Sequence, residues 1–247
     1  MNTEDGKFRV RKLRTTCTDC SLSELCLPRG LDDSDVQDLA KIVEQPAPVE
    51  RGGFLYKAGD PFRALFVVKV GAVKFVAADQ GVDDQIIAFG LPGELSGLEG
   101  LYSGRYHCSA VALTSTRYCM LPFERIEELA AKVPSLRHEL FNLASREITQ
   151  DRDLLVMLSN RSAEERVATF LHSLGQRFGR RGYSATEFNM VMTRAEIANY
   201  LGLAVETVSR VFSRFKESGL LDVDGRYVHL LNPDEIKTMV HSCSRSL

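Results

Sequence analysis

Thr193-Arg-Ala-Glu-Ile-Ala-Asn-Tyr-Leu-Gly-Leu-Ala-Val-Glu-Thr-Val-Ser-Arg210 is the stretch that decides how the C-terminal part of this chain folds. Thr193 followed by Glu196 has the capping-box pattern, in which each side chain bonds the backbone N–H of the other. It predicts a short helix over Arg194–Leu201. Gly202 then supplies the positive φ that a tight inter-helix turn needs. Ala198 is small enough to let a second helix approach, and Val208 is spaced to pack back onto the first. This small–Gly–apolar spacing is that of a helix–turn–helix.

The second helix, expected over about Ala204–Ser218, carries Glu206, Ser209 and Arg210 at i, i+3 and i+4, with Thr207 in the same turn. The N-terminal half of such a helix is the part that enters a major groove. Arg210 suits bidentate bonding to guanine, Glu206 can accept from a cytosine amino group, and Ser209 can serve base or phosphate. Arg214 and Lys216 lie further along and suit phosphates. Glu206 and Arg210 could instead be a surface ion pair of the ordinary i, i+4 kind. Beyond Gly219, Asp224-Gly225 is a hairpin signal between two apolar runs, which would add a wing. Between Asn160 and Ser218 stand nine Lys/Arg and six Asp/Glu, a basic excess that permits phosphate contacts in a chain whose net charge is −2.

Working toward the N-terminus, residues 161–247 form one unit, opening with helical patterning over Ala163–Arg177. Residues 133–160 read as one long helix with Pro134 in its first turn. Its apolar positions fall in two stripes. Leu136, Leu140, Leu143, Leu154 and Met157 form one, fit to pack on its own domain. Phe141, Ala144, Ile148, Leu155 and Leu158 form the other, with Asp151 standing in the heptad register where an apolar residue is due. The second stripe is expected to face another copy of the chain, with packing of both stripes within one chain as the alternative. Asp151 would then meet its own copy and weaken the dimer by like-charge repulsion.

Residues 31–132 read as short strands broken by glycine turns, a sandwich or barrel pattern, after a brief helix over Asp33–Val43. Residues 1–30 carry little periodicity but hold Cys17, Cys20 and Cys26; Cys119 lies far downstream in the last strand. Four thiolates are the number that holds an iron–sulfur cluster or a structural zinc. No apolar run approaches the length of a membrane span, and the basic run Lys7–Arg14 has no apolar stretch behind it as a signal peptide would. A cytoplasmic chain, which this is expected to be, keeps its thiols reduced, so metal binding explains the cysteines better than disulfides. Cys108 reads as a core residue and Cys243 as incidental.

The motifs Cys17-x2-Cys20-x5-Cys26, Tyr118-Cys119-Met-Leu-Pro-Phe-Glu124 and Asn199–Arg210 together resemble the Crp/Fnr superfamily of bacterial transcription regulators, and within it the FNR/ANR-type oxygen sensors, over nearly the whole chain. The resemblance implies an α+β fold: a cyclic-nucleotide-binding-like β-roll (jelly roll) over 31–132, a dimerisation helix over 133–160 and a C-terminal winged helix–turn–helix. It implies an oxygen-labile 4Fe–4S cluster on Cys17, Cys20, Cys26 and Cys119, and a homodimer formed while the cluster is intact. It also implies recognition of TTGAT-type palindromes in double-stranded DNA through Glu206, Ser209 and Arg210. Contact with RNA polymerase is implied too, with the loop around Asp79–Gln85 as one surface. Cyclic-nucleotide members grip their ligand through Gly-Glu-Leu and Arg-Ser-Ala runs. The aligned runs here read Gly97-Leu98-Glu99 and Cys108-Ser109-Ala110, without the phosphate-pairing arginine, so no cyclic nucleotide is expected. Two rivals differ in chemistry. Zinc would suit four thiolates, though the five-residue gap exceeds its usual spacing. A redox enzyme or electron carrier would need a nucleotide fingerprint or a paired acid and base, and none stands in the sequence.

Overall fold

The computed structural model describes residues 17–77 and 85–241. The basic run Lys7–Arg14, most of the Asp79–Gln85 loop and Cys243 lie outside them. A single 3-10 turn at Ser23–Leu25 precedes α1 (Asp33–Ile42), whose cap Asp32 accepts from the Asp35 N–H at 2.9 Å. Then come β1 (Phe54–Tyr56), β2 (Ala64–Val70), β3 (Val73–Ala77), β4 (Gln85–Gly90), β5 (Leu95–Ser96), α2 (Gly100–Ser103), β6 (Cys108–Ala112) and β7 (Arg117–Pro122). Helices α3 (Phe123–Lys132), α4 (Pro134–Asn160) and α5 (Ala163–Gly179) follow. Next come β8 (Glu187–Asn189), α6 (Arg194–Leu201), α7 (Val205–Glu217), β9 (Leu221–Asp224), β10 (Tyr227–Leu230) and α8 (Pro233–His241). No helix among the described residues is long and apolar enough to cross a membrane.

The N-terminal strands form two antiparallel sheets, ordered β1-β6-β3-β4 and β5-β2-β7. Alternation along β2 sends Ala64 and Phe66 into the core between the sheets, with Tyr56, Tyr106 and Cys108. It sends Leu65 and Val67 the other way, into a second core with Leu27, Leu39, Leu121, Ile126 and Leu136. That second core is where the cysteine segment, α1, α3 and the start of α4 meet. A third core joins the outer face of β3 and β4 (Val76, Ile86, Phe89) to the buried side of α5, α6 and α7. The C-terminal unit is therefore packed directly onto the β-roll.

Several elements went unread in the sequence, the short α2 and the 3-10 turn among them. Helix α3 occupies a stretch expected to be strand and turn; it forms because Ile126 and Ala130, one turn apart, are buried beneath it. Strand β8 is three residues long, too short for a periodicity, and exists because β10 offers it an edge in the order β8-β10-β9. Helix α8 closes the C-terminal core with fully buried Ile236. The wing hairpin is displaced by one residue: Asp224 pairs with Tyr227, so Gly225 and Arg226 make the turn, with Gly225 at φ 58°. Leu136, 0% exposed at the root of α4, ties this helix to the β-roll. Leu136→Ala is expected to lower the unfolding free energy by about 3 kcal/mol, read as a reduced denaturant midpoint at unchanged slope.

Candidate metal centre and nucleic-acid interface

The cysteine segment is a run of tight turns. Cys20 N–H donates to Cys17 O, Ser23 to Cys20, Cys26 to Ser23 and Arg29 to Cys26, at 3.1–3.4 Å. Cys119 comes from β7, paired with Val67 of β2. All four sulfur-bearing residues border one cavity of about 30 Å³, whose other walls include Leu22, Leu27, Leu39, Val67, Leu121 and Lys69. The structure thus brings together Cys17, Cys20, Cys26 and Cys119, and each is a free thiol. No three His, Cys, Asp or Glu side chains among the described residues converge on the position of a single metal ion. Burial raises the Cys17 thiol to about 11, with Cys119 and Cys20 adding to the rise and Lys69 opposing it. Burial also pushes Cys26 and Cys119 up. Cys108 lies apart, buried in the inter-sheet core, where its thiol donates to Glu99 at 3.3 Å.

Helix α4 presents its two stripes to different surroundings. Leu136, Leu140 and Leu143 pack in the core that also receives Cys26 and Cys119, and Leu154 and Met157 pack in the C-terminal core. Phe141, Ile148 and Leu155 stand 69%, 53% and 64% exposed. Ala144 is half-buried and Asp151 exposed. Leu158 differs from its stripe: it is half-buried against the C-terminal core, beside Gly202. Burial, with Glu99 and Asp151 nearby, raises the Glu147 carboxyl to about 7, and burial raises that of Asp151.

The helix–turn–helix forms where its sequence pattern places it. Thr193 and Glu196 make the capping box in both directions, at 2.8 and 3.2 Å. Gly202 sits at φ 61°, and Ala198 and Val208 are buried between α6 and α7. Glu206, Ser209 and Arg210 are exposed on α7, with half-buried Thr207 beside them. Glu206 and Arg210 do not pair with each other. Arg210 donates to Thr207 Oγ1 at 3.3 Å, and Ser209 Oγ donates back to the Val205 carbonyl at 2.9 Å. Arg214 and Lys216, expected from the sequence to meet phosphates, have protein partners in the chain alone: Arg214 bonds Glu164 of α5, and Lys216 pairs with Asp222 of the wing. These pairs arise between elements distant in sequence. Both are solvent-exposed and hold weakly, so a phosphate can compete for either cation.

Sequence reasoning missed the side chains that hold the DNA-reading unit in place. Arg166 of α5 bonds the carbonyls of Leu158 and Arg161 at the end of α4 and of Leu201 at the end of α6. Lys74 of β3 pairs with Glu196 at 3.1 Å, and Asn199 Oδ1 accepts from Ile86 N–H of β4 at 2.6 Å. Glu94 carries Arg177 at 2.5 Å and Arg181 at 2.6 Å. Burial acts to raise the Glu94 carboxyl, but the two guanidiniums and the Leu91 N–H outweigh it and leave it below the usual range. The available signal was Arg177 in the last turn of a helix patterned for burial, with Arg181 four residues on, just past the end of that helix.

The family described as the Crp-like helix-turn-helix domain matches residues 165–239, and that described as the cyclic nucleotide-binding domain matches residues 47–133. The transcriptional activator protein anr of Pseudomonas aeruginosa is 47% identical over 230 residues, covering 93% of this chain and 94% of that protein. The fumarate and nitrate reduction regulatory protein of Escherichia coli is 41% identical over 220 residues, covering 89% of this chain and 88% of that one. The solved structure of FixK2 from Bradyrhizobium japonicum superposes with a TM-score of 0.73 at 28% identity, covering 80% of this chain and 97% of that chain.

The raised Glu147 carboxyl has a consequence for stability. Between its ordinary 4.5 and about 7, the folded protein holds a proton there that the unfolded chain releases. Stability therefore falls as pH rises through that interval. Denaturant midpoints measured across it are expected to decline, and Glu147→Gln is expected to flatten the decline.

Proposed function

The chain belongs to the Crp/Fnr family of transcription regulators, and from that premise we propose that it is an oxygen-responsive regulator of promoters. In this reading Cys17, Cys20, Cys26 and Cys119 hold a 4Fe–4S cluster, and the held state favours a homodimer that binds palindromic TTGAT-type sites under anaerobic conditions. The observation that carries the reading is a shared core. Cys26 and Cys119 pack in the same apolar cluster as Leu136, Leu140 and Leu143 of α4, so the order of the cysteine segment and the seating of the helix are one packing problem.

The donor set is the one an iron–sulfur cluster takes: four thiols border one apolar cavity. When bound, the cluster supplies oxygen-reactive iron and a cationic partner for thiolates. The remaining work belongs to the chain. Leu22 and Leu27 wall the cavity and restrict solvent, and Lys69 offsets part of the negative charge. Loss of the four sulfur tethers frees a segment that, among its described residues, buries only Leu27 and Pro28 fully. Across a two-fold axis Phe141, Ile148 and Leu155 supply apolar contact while paired Asp151 carboxylates repel. The dimer is then marginal and sensitive to how α4 is seated. Splitting it leaves one half-site read at a time and halves the phosphate contacts, so affinity falls by orders of magnitude.

On DNA, Arg210, Glu206 and Ser209 read base edges. Thr207 positions Arg210 through its hydroxyl, and Arg214 exchanges Glu164 for a phosphate. The regulator works in the cytoplasm and, when bound, contacts RNA polymerase.

The direct test is purification without oxygen, with iron, acid-labile sulfide and molecular mass measured before and after air. Equal iron and sulfide with a dimer that becomes monomeric in air is the expected result. A zinc-containing protein whose mass ignores air overturns the sensing reading. Asp151→Ala is expected to keep the protein dimeric after the cluster is lost, and an unchanged monomer–dimer equilibrium counts against the seam. Arg210→Ala is expected to cost about 1–3 kcal/mol at a specific site and to relax preference at one base position, measured by binding to single-substituted duplexes.

A further inference from the structure

One turn touches both the cysteine segment and the DNA-reading unit of the same chain. Pro92, Gly93 and Glu94 connect β4 to β5. Gly93 has φ 86°, and a Cβ placed there would lie 2.9 Å from Leu25 Cβ and 3.8 Å from Leu22 Cβ. Leu22 and Leu25 belong to the short stretch between Cys20 and Cys26, so this stretch rests directly on the glycine backbone. The Gly93 N–H donates to the Val68 carbonyl at 2.8 Å, and Val68 lines the cysteine cavity. On its other side the turn grips α5. Glu94 binds Arg177 and Arg181, Arg181 Nε donates to the Pro92 carbonyl at 2.6 Å, and Arg177 Nη2 donates to Phe89 O at 2.5 Å. Glu94 also closes its own turn by accepting from the Leu91 N–H at 2.9 Å. The Arg181 side chain is only 4% exposed, so water cannot readily replace these bonds.

We propose that Glu94 is a positioning residue for DNA reading: through the Pro92–Glu94 turn, the packing of Leu22 and Leu25 sets how firmly α5, and with it α6 and α7, is held on the β-roll. This coupling runs within one chain and is separate from the α4 dimer seam. A tethered cysteine segment presses Leu25 on Gly93 and keeps the Glu94 carboxylate between its two arginines. A segment without its tethers keeps Leu25 against Gly93 for less of the time, and the carboxylate shifts more often. Arg177 and Arg181 then lose their shared partner, and the DNA-reading unit gains rotational freedom before any dimer separates. Its link to oxygen rests on the cluster reading above; the mechanical link does not.

Hydrogen exchange on the full chain tests both parts. In metal-stripped protein, Leu25→Ala is expected to speed amide exchange across residues 176–182 and 194–201 by about tenfold. In a Glu94→Gln background the same change is expected to add nothing. Additive effects, or no effect of Leu25→Ala, would overturn the coupling. Leu25→Ala removes a half-buried side chain and no charged group, so it tests the link even where Glu94→Gln folds poorly. In protein carrying measured iron and sulfide, loading is expected to slow exchange in these segments in the native chain and not in Glu94→Gln. Equal slowing in both overturns the positioning role. Absence of iron and sulfide overturns the cluster reading while the metal-free comparison still decides the coupling.

Discussion

Thiols placed against apolar walls resist ionisation, and much of this molecule is arranged around that constraint. Burial holds Cys17, Cys26 and Cys119 in their neutral form, and charge on Cys119 or Cys20 would raise Cys17 and Cys26 further. A cation in the cavity reverses this balance, because the thiolate is the ligand and its charge is then compensated. Lys69 contributes one positive charge from β2. Among the described residues, the N-terminal segment buries only Leu27 and Pro28 and is otherwise held by a short 3-10 turn, tight backbone turns and half-buried side chains such as Leu22, Leu25 and Cys26.

The same core passes that state on. Leu27, Leu39, Leu121 and Leu136 are fully buried together, so the cysteine segment, α1, β7 and the base of α4 repack as a group or not at all. Farther along α4, acidic side chains gather. Glu99 and Asp151 both act on Glu147, and Asp151 acts on Tyr200 of α6. Glu147 is half-buried and Asp151 exposed, and burial together with the like charges raises the Glu147 carboxyl in the middle of the helix. In the proposed dimer the exposed apolar side chains of α4 would favour association and Asp151 would oppose it.

The DNA-reading unit is held by contacts its own sequence does not announce. The Thr193–Glu196 box is local and legible, yet Glu196 also pairs with Lys74, well over a hundred positions away. Arg194 lies over the Phe212 ring at 3.6 Å, fastening α6 to α7 by a contact of cation and aromatic face. Phe89 of β4 packs against Phe170 and Tyr200, and the outer face of the β-roll becomes the seat of the C-terminal unit. Arg214, read as a phosphate contact from its place on the helix, meets Glu164 because α5 runs alongside, which helical periodicity cannot reveal.

Local pattern determined a good deal by itself. The capping box, Gly202, and the apolar spacing of Ala198 and Val208 specify the helix–turn–helix, because those interactions close within a few residues. The two stripes of α4 follow from helical period alone, and the spacing of Cys17, Cys20 and Cys26 announces a ligand set. Tertiary structure decided what depends on distant partners. It placed Cys119 across the cavity from the other three by pairing β7 with β2. It put Leu158 in the C-terminal core rather than on the open stripe, created β8 at the edge of β10, and set Glu94 between Arg177 and Arg181. The division has one physical cause: hydrogen bonds and rotamers are chosen over a few residues, whereas burial and charge pairing depend on which surfaces the fold brings together.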